Sequence, residues 1–278
     1  MLNETTLDRL RRVSPYAALL IPVLAYVVPV ATESPFLARQ VTLIAIMAMV
    51  VVGLNITYGY AGEFALGQAA FYAVGAYITG VLAVNGHNEM LLTLPLSALG
   101  AALCGLISGI PGLRLGGWSL AMVSFFLVLL IPDIADITRE WTGGFDGLPG
   151  IPLMVVAGTE VDSNGYLLVV LIVATLVFAA ARNLVKSRIG ASLLVLKQSP
   201  VLARSLGISV YRSKLLAYVI GAVPAGIAGC LFSYLDGYIA PESFGFSVSV
   251  GFLAASILGG SQSIYGRDRK STRLNSSH

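Results

Sequence analysis

The chain has 278 residues, a net charge of +3 and a mean hydropathy of +0.84, with 56% hydrophobic and only 11% charged residues. A soluble globular domain carries roughly a quarter of its residues as Asp, Glu, Lys and Arg. This composition therefore excludes a water-exposed surface over most of the molecule, and lipid must cover it instead. Cys104 and Cys230 both sit in apolar runs, and the two histidines are His87 and His278. No spacing among them suggests a metal site, and a buried free thiol is expected at each cysteine.

A spanning helix needs about 20 mostly apolar residues. About eight runs meet or approach that standard, at 14–31, 40–60, 64–84, 91–110, 118–134, 166–182, 214–235 and 247–258. The expected fold class is thus an all-α polytopic membrane protein. The runs at 118–134 and 247–258 are short, as broken or incomplete spans would be. Arg9, Arg11 and Arg12 precede the first run in the manner of a signal peptide, but no small-residue cleavage pattern follows. A first transmembrane helix with a cytoplasmic N-terminus is the simpler reading.

Residues 53–80 read GLNITYGYAGEFALGQAAFYAVGAYITG. The stretch is glycine-rich, and Asn55, Thr57, Tyr58, Glu63 and Gln68 are polar in apolar surroundings. Irregular backbone at membrane depth survives only when buried in protein or lining a wet cavity. Two membrane segments joined at 60–64 fit best, with Glu63 at the cytoplasmic turn complementing a helix dipole. Asn55 and Gln68 either face a translocation path or bond across helices; Tyr58 and Tyr72 complete the candidate lining.

Between the fifth and sixth runs lie Asp133, Asp136, Glu140, Asp146, Glu160 and Asp162 against a single Arg139. Residues 141–152, WTGGFDGLPGIP, are dense in turn formers and predict a compact, ordered extracytoplasmic loop. Thr142, Gly143, Gly144 and Asp146 are its candidate functional residues. The loop gates a pathway or receives a soluble binding protein; a plain connector is the alternative.

Residues 182–214 carry seven Lys and Arg (Arg182, Lys186, Arg188, Lys197, Arg204, Arg212, Lys214) and no acid. Basic loops resist translocation, so this loop marks the cytoplasmic face. Parity agrees: from a cytoplasmic N-terminus, six crossings return the chain inside at Arg182. Arg114 falls on an internal turn, Asp236 and Glu242 on an external one, and Arg39 is the one mild exception. Within the loop, Ser199 is an N-cap, Pro200 a first helical residue, and Gly207 a C-terminal cap after about two turns of helix. A second helical stretch at 191–198 follows Gly190. Leu202 and Leu206 on one face suit either a partner's groove or anionic lipid.

In the run 214–235, Gly221, Ala225 and Gly229 form a small-xxx-small ladder that lets helices approach closely, and Pro224 is expected to kink its helix.

With these segments in hand, the chain resembles the LivM-type permease subunits of bacterial branched-chain amino acid ABC importers. The similarity rests on GLNITYGYAGEFALGQAAFYAVGAY at 53–77, TGGFDGLPGIP at 142–152 and SRIGASLLVLKQSPVLARSLGISVYRSKLLAY at 187–218. GYIAPESFGF at 237–246 and SILGGSQSIYG at 256–266 extend it. The resemblance covers about 41–266. It implies a single permease domain over 1–266 with a coupling loop at about 183–213, in the bacterial inner membrane, with no catalytic site or cofactor of its own. It further implies a homologous second permease subunit, two cytoplasmic ATP-binding subunits and an extracytoplasmic substrate-binding protein, and no nucleic acid. Arg188, Gly190, Arg204 and Gly207 match the coupling-loop pattern, with Ser199 and Pro200 opening the pushed helix. No GxxxxGK[ST] motif is present, so any P-loop comes from a partner.

Two departures stand out. Residues 125–132 read FFLVLLIP where the family often has a more polar, acid-bearing stretch. After Gly266 the chain turns to RDRKSTRLNSSH, where the family continues with Pro and a further apolar segment. Residues 267–278 are expected to be a non-native or disordered tail, and the bundle truncated. Two other readings stay open: a urea or short-amide permease of the same kind, and a secondary transporter or channel needing no ATPase. The second is disfavoured because no ionisable residue lies near a predicted span centre, where such transporters usually place one.

Overall fold

The computed structural model describes residues 22, 25–27, 29, 34–115, 118–156 and 158–259. The expected first span at 14–31 lies largely outside these residues, as does the tail at 267–278.

The helices, in order, are α1 (Pro35–Leu54), α2 (Gln68–Val84), α3 (Met90–Arg114), α4 (Ser119–Leu129), α5 (Ile131–Ile137), α6 (Arg139–Thr142), α7 (Ser163–Lys186), α8 (Arg188–Gln198), α9 (Pro200–Ser205), α10 (Val210–Asp236) and α11 (Phe246–Leu258). A π-helical turn, Asn55–Tyr60, continues α1. Two short antiparallel pairs join β1 (Leu148–Pro149) to β4 (Tyr238–Ile239) and β2 (Val155–Val156) to β3 (Thr159–Glu160).

This is an all-α polytopic membrane protein. Among the described residues, five helical stretches are long and apolar enough to cross a membrane, or six if α4 and α5 form one span bent by 44°. The expected count of about eight is therefore met only in part. The fifth run divides because Pro132 stands in the first turn of α5, where its ring and missing N–H cannot continue the helix before it. The third run is shorter than expected: α2 has 17 residues, a rise of about 25 Å against a hydrocarbon core of about 30 Å.

The core is built around α10, which packs against α1, α2 and α3. Lipid tails give helices no hydrophobic reason to associate, so close backbone packing must do it. A Cβ on Gly53 would stand 2.3 Å from the Gly221 carbonyl oxygen, one on Gly75 2.1 Å from that of Gly226, and one on Gly229 2.0 Å from that of Tyr72. The ladder Gly221–Ala225–Gly229 thus serves helix packing, and α10 runs continuously through Pro224. Outward, Leu99, Leu103 and Ile107 of α3 and Ile172 and Leu176 of α7 are exposed, as lipid-facing surfaces require.

The two ends of the bundle differ in charge. One carries the basic loop of α8 and α9; the other carries α5, α6 and the strand pairs with their acids. Arg39, the exception to the charge rule, stands at the acidic end and forms an ion pair with Asp236. Its charge is locally offset.

Candidate functional site

The break between α1 and α2 is longer than the expected 60–64 and lies later in the chain. Helical structure persists through Tyr60, residues 61–67 leave it, and α2 opens at Gln68. One backbone conformation and two contacts hold this path. Gly62 adopts φ +73°, a left-handed conformation costly for other residues. The Leu66 N–H donates to Ser124 Oγ at 3.0 Å. A Cβ on Gly67 would fall 2.9 Å from that of Ser124. The irregular backbone near Leu66 and Gly67 is thus held against α4. Glu63 does not complement a helix dipole, since α2 begins only at Gln68. Its carboxylate instead forms an ion pair with Lys214 at the start of α10.

The basic loop is bolted to the same break. Ser187 caps α8 by accepting the Ile189 N–H at 3.2 Å, so this helix starts at Arg188 rather than at the expected 191. Gly190 sits inside its first turn, where a Cβ would lie 2.1 Å from the Val185 carbonyl oxygen; the reversal between α7 and α8 closes too tightly for a side chain. Leu193, Leu196 and Ala203 pack with Tyr60, Ala61 and Ala217 in one buried cluster. Lys197 Nζ donates to the Gly59 carbonyl at 2.7 Å, and its stem covers Gly62. Burial pushes this ammonium below the usual lysine pKa, and the bond to Gly59 compensates the lost hydration.

The short helix α9 forms as its residues predict. Ser199 Oγ accepts the Leu202 N–H at 3.3 Å, Pro200 takes the first helical position, and Gly207 follows with φ +75°. Ala203 faces inward, while Val201, Leu202, Arg204 and Leu206 are exposed. Arg188 is exposed as well. The result is an apolar and basic surface around α9, backed by a helix that touches the break.

Beyond the break, α2 carries several buried polar groups. Gln68 and Tyr72 are each 1% exposed. Neither atom of the Gln68 amide, nor the hydroxyl of Tyr72, Tyr77 or Ser256, has a hydrogen-bond partner among the described residues. Each such buried group costs about 1–3 kcal/mol, and native structures hold few of them. Asn55 is buried on the π-turn, a geometry frequent at functional sites. Tyr58 is not part of this group: its ring packs edge-on against Phe64, 5.7 Å away, in a chain that leads to the exposed Trp118. The sequence reading missed Tyr77 and Ser256; Tyr77 lay within the quoted motif, but a serine in an apolar helix gives no local signal.

The predicted loop at the acidic end is compact. Thr142 Oγ1 donates to the Ala135 carbonyl at 2.6 Å and accepts the Gly144 N–H at 3.3 Å. Gly143 passes so close to Gly147 that a Cβ would stand 1.9 Å from its carbonyl oxygen. Asp146 pairs with Arg139 at 2.7 Å on the surface, and its backbone carbonyl accepts the Tyr238 hydroxyl at 2.8 Å. The loop is thereby tied to the chain just after α10, and so to the far end of the helix whose start holds Glu63.

Comparison with known proteins identifies the family of this chain. Residues 36–267 match the family described as the permease component of branched-chain amino acid transport systems. The chain is 32% identical over 256 residues to the high-affinity branched-chain amino acid transport permease LivM of Escherichia coli, covering 81% of this chain and 60% of that protein. It is 32% identical over 261 residues to LivM of Salmonella typhimurium, covering 83% and 61%. To LivH of the latter organism it is 26% identical over 246 residues, covering 81% and 78%. The chain thus spans about three fifths of the length of the LivM proteins it matches. No solved structure matches it.

Proposed function

Because the chain belongs to the family of permease components of branched-chain amino acid transport systems, we propose that it is the membrane-spanning permease subunit of an ATP-driven importer for branched-chain amino acids. It works in the bacterial inner membrane with its basic end in the cytoplasm. A homologous second permease completes the membrane unit; similarity to both LivM and LivH proteins supports such a pair. Two cytoplasmic ATPases dock on α8 and α9, with Val201, Leu202 and Leu206 filling a groove and Arg188 and Arg204 meeting acidic groups. A substrate-binding protein delivers at the acidic end, over the loop built on Thr142, Gly143, Gly144 and Asp146.

One observation carries this reading: the helix backing the exposed surface of α9 packs against the end of α1 beside the helix break. Ala203 of α9 and Leu193 and Leu196 of α8 share one buried cluster with Tyr60 and Ala61, and the Lys197 stem lies over Gly62 in the break, so a push on α9 would reach the break through α8. The break in turn positions Gln68 and Tyr72 on the path. Chemical work is left to the ATPases, and this subunit converts their closure into a displacement of α2 relative to α10. The test is reconstitution of the four kinds of subunit in liposomes. Leucine uptake should require both ATP and the binding protein; uptake that proceeds equally without ATP would overturn the proposal.

A further inference from the structure

Four side chains with unpartnered polar atoms lie on two helices that face each other. Gln68, Tyr72 and Tyr77 are on α2 and Ser256 is on α11. The seam between these helices is defined by contact. Ser249 Oγ accepts the Ala69 N–H at 3.3 Å, and the ring of Phe252 meets that of Tyr72 at 6.0 Å. Ser256 follows Phe252 by one turn and Ser249 by two, on the same face of α11. At the acidic end, Phe244 closes the seam, 5.3 Å from the ring of Tyr72 and 5.9 Å from that of Tyr77. Gln68 and Tyr72 share one face of α2, and Tyr77, a rise of about 14 Å from Gln68, reaches the same seam from around the helix through the ring of Phe244, so the groups are spread along a track rather than gathered in a single cage.

The chemistry of the track is specific. It offers hydroxyl and amide N–H donors for a carboxylate and the Gln68 carbonyl oxygen for an ammonium, with aromatic rings beside them for an apolar side chain. None of these side chains is charged. A fixed charge at this depth would hold a zwitterion tightly, whereas conduction needs sites that bind well enough to admit the solute and weakly enough to release it. The polar groups are therefore matched to the main chain of a neutral amino acid and mismatched to a cationic or anionic one.

We propose that the seam between α2 and α11 is an amino-acid-binding track, in which Gln68, Tyr72, Tyr77 and Ser256 take the zwitterionic main chain of the substrate in successive weak steps. This rests on the importer reading and adds the route and the groups that line it. α11 is the less buried of the two helices, so a displacement of α2 opens the seam on that side.

Two measurements in the reconstituted importer test the track separately from the importer reading. Tyr72→Phe keeps the ring and removes only the hydroxyl; losing one hydrogen bond should raise the leucine KM or lower kcat about fivefold. Ser256→Cys should react with a small maleimide faster than the wild-type chain does, and millimolar leucine should slow that reaction while lysine and glutamate should not. Protection by leucine without ATP-driven uptake would retain the track and refute the importer. Normal uptake by Tyr72→Phe, together with a thiol in Ser256→Cys that is unreactive or not protected by leucine, would refute the track and leave the importer standing.

Discussion

Lys197→Met isolates the link between the basic loop and the helix break. Methionine keeps the length and volume of the stem over Gly62, so packing is nearly conserved and the ammonium alone is lost. That ammonium donates to the Gly59 carbonyl at 2.7 Å, and a hydrogen bond from a charged group is worth about 1.5–3 kcal/mol. The side chain is half-buried, which argues for the lower part of that range. A loss of about 1.5 kcal/mol corresponds to roughly a tenfold shift between linked and unlinked arrangements. The assay is leucine transported per ATP hydrolysed in liposomes containing the proposed importer. The ratio should fall about tenfold, with the ATPase rate itself little changed, and Lys197→Arg should restore part of it by keeping a donor. An unchanged ratio in Lys197→Met would show that the loop does not act on the break through this contact.

Other perturbations separate backbone, packing and charge. Gly207→Val should weaken coupling more than Gly207→Asn: nothing lies near a Cβ there, so only the left-handed backbone matters, at about 1–2 kcal/mol for a poorly suited residue. Equal uptake by the two variants would remove that role. Gly229→Ala places a methyl 2.0 Å from the Tyr72 carbonyl oxygen and should destabilise the bundle by about 1–3 kcal/mol, read as a lower unfolding temperature in detergent. Asp236→Asn breaks the pair with Arg39, whose side chain is 54% exposed. Such a surface pair contributes about 0–1 kcal/mol and is screened by salt, so the thermal shift should be small and vanish at high ionic strength.

Much of this molecule was legible in its residues. Low charge and long apolar runs require lipid around helices, because neither demand depends on which helix meets which. The cap signals of α9 were legible for the same reason: Ser199, Pro200 and Gly207 act on backbone groups within a few residues of themselves. Tertiary structure decided whatever depends on distant partners. Glu63 looked like a helix-start acid until the fold brought Lys214 to it from far along the chain. Tyr58 and Tyr72 look alike in the sequence, yet one turns toward Trp118 and the other lies within the seam. Arg39 is an exception to a charge rule until Asp236 arrives beside it. Even the extent of the break was set from outside, by the Ser124 hydroxyl that captures the Leu66 N–H. Local propensity acts over a turn or two, whereas burial, ion pairing and the unpartnered burial of Gln68 exist only once separate helices share one space.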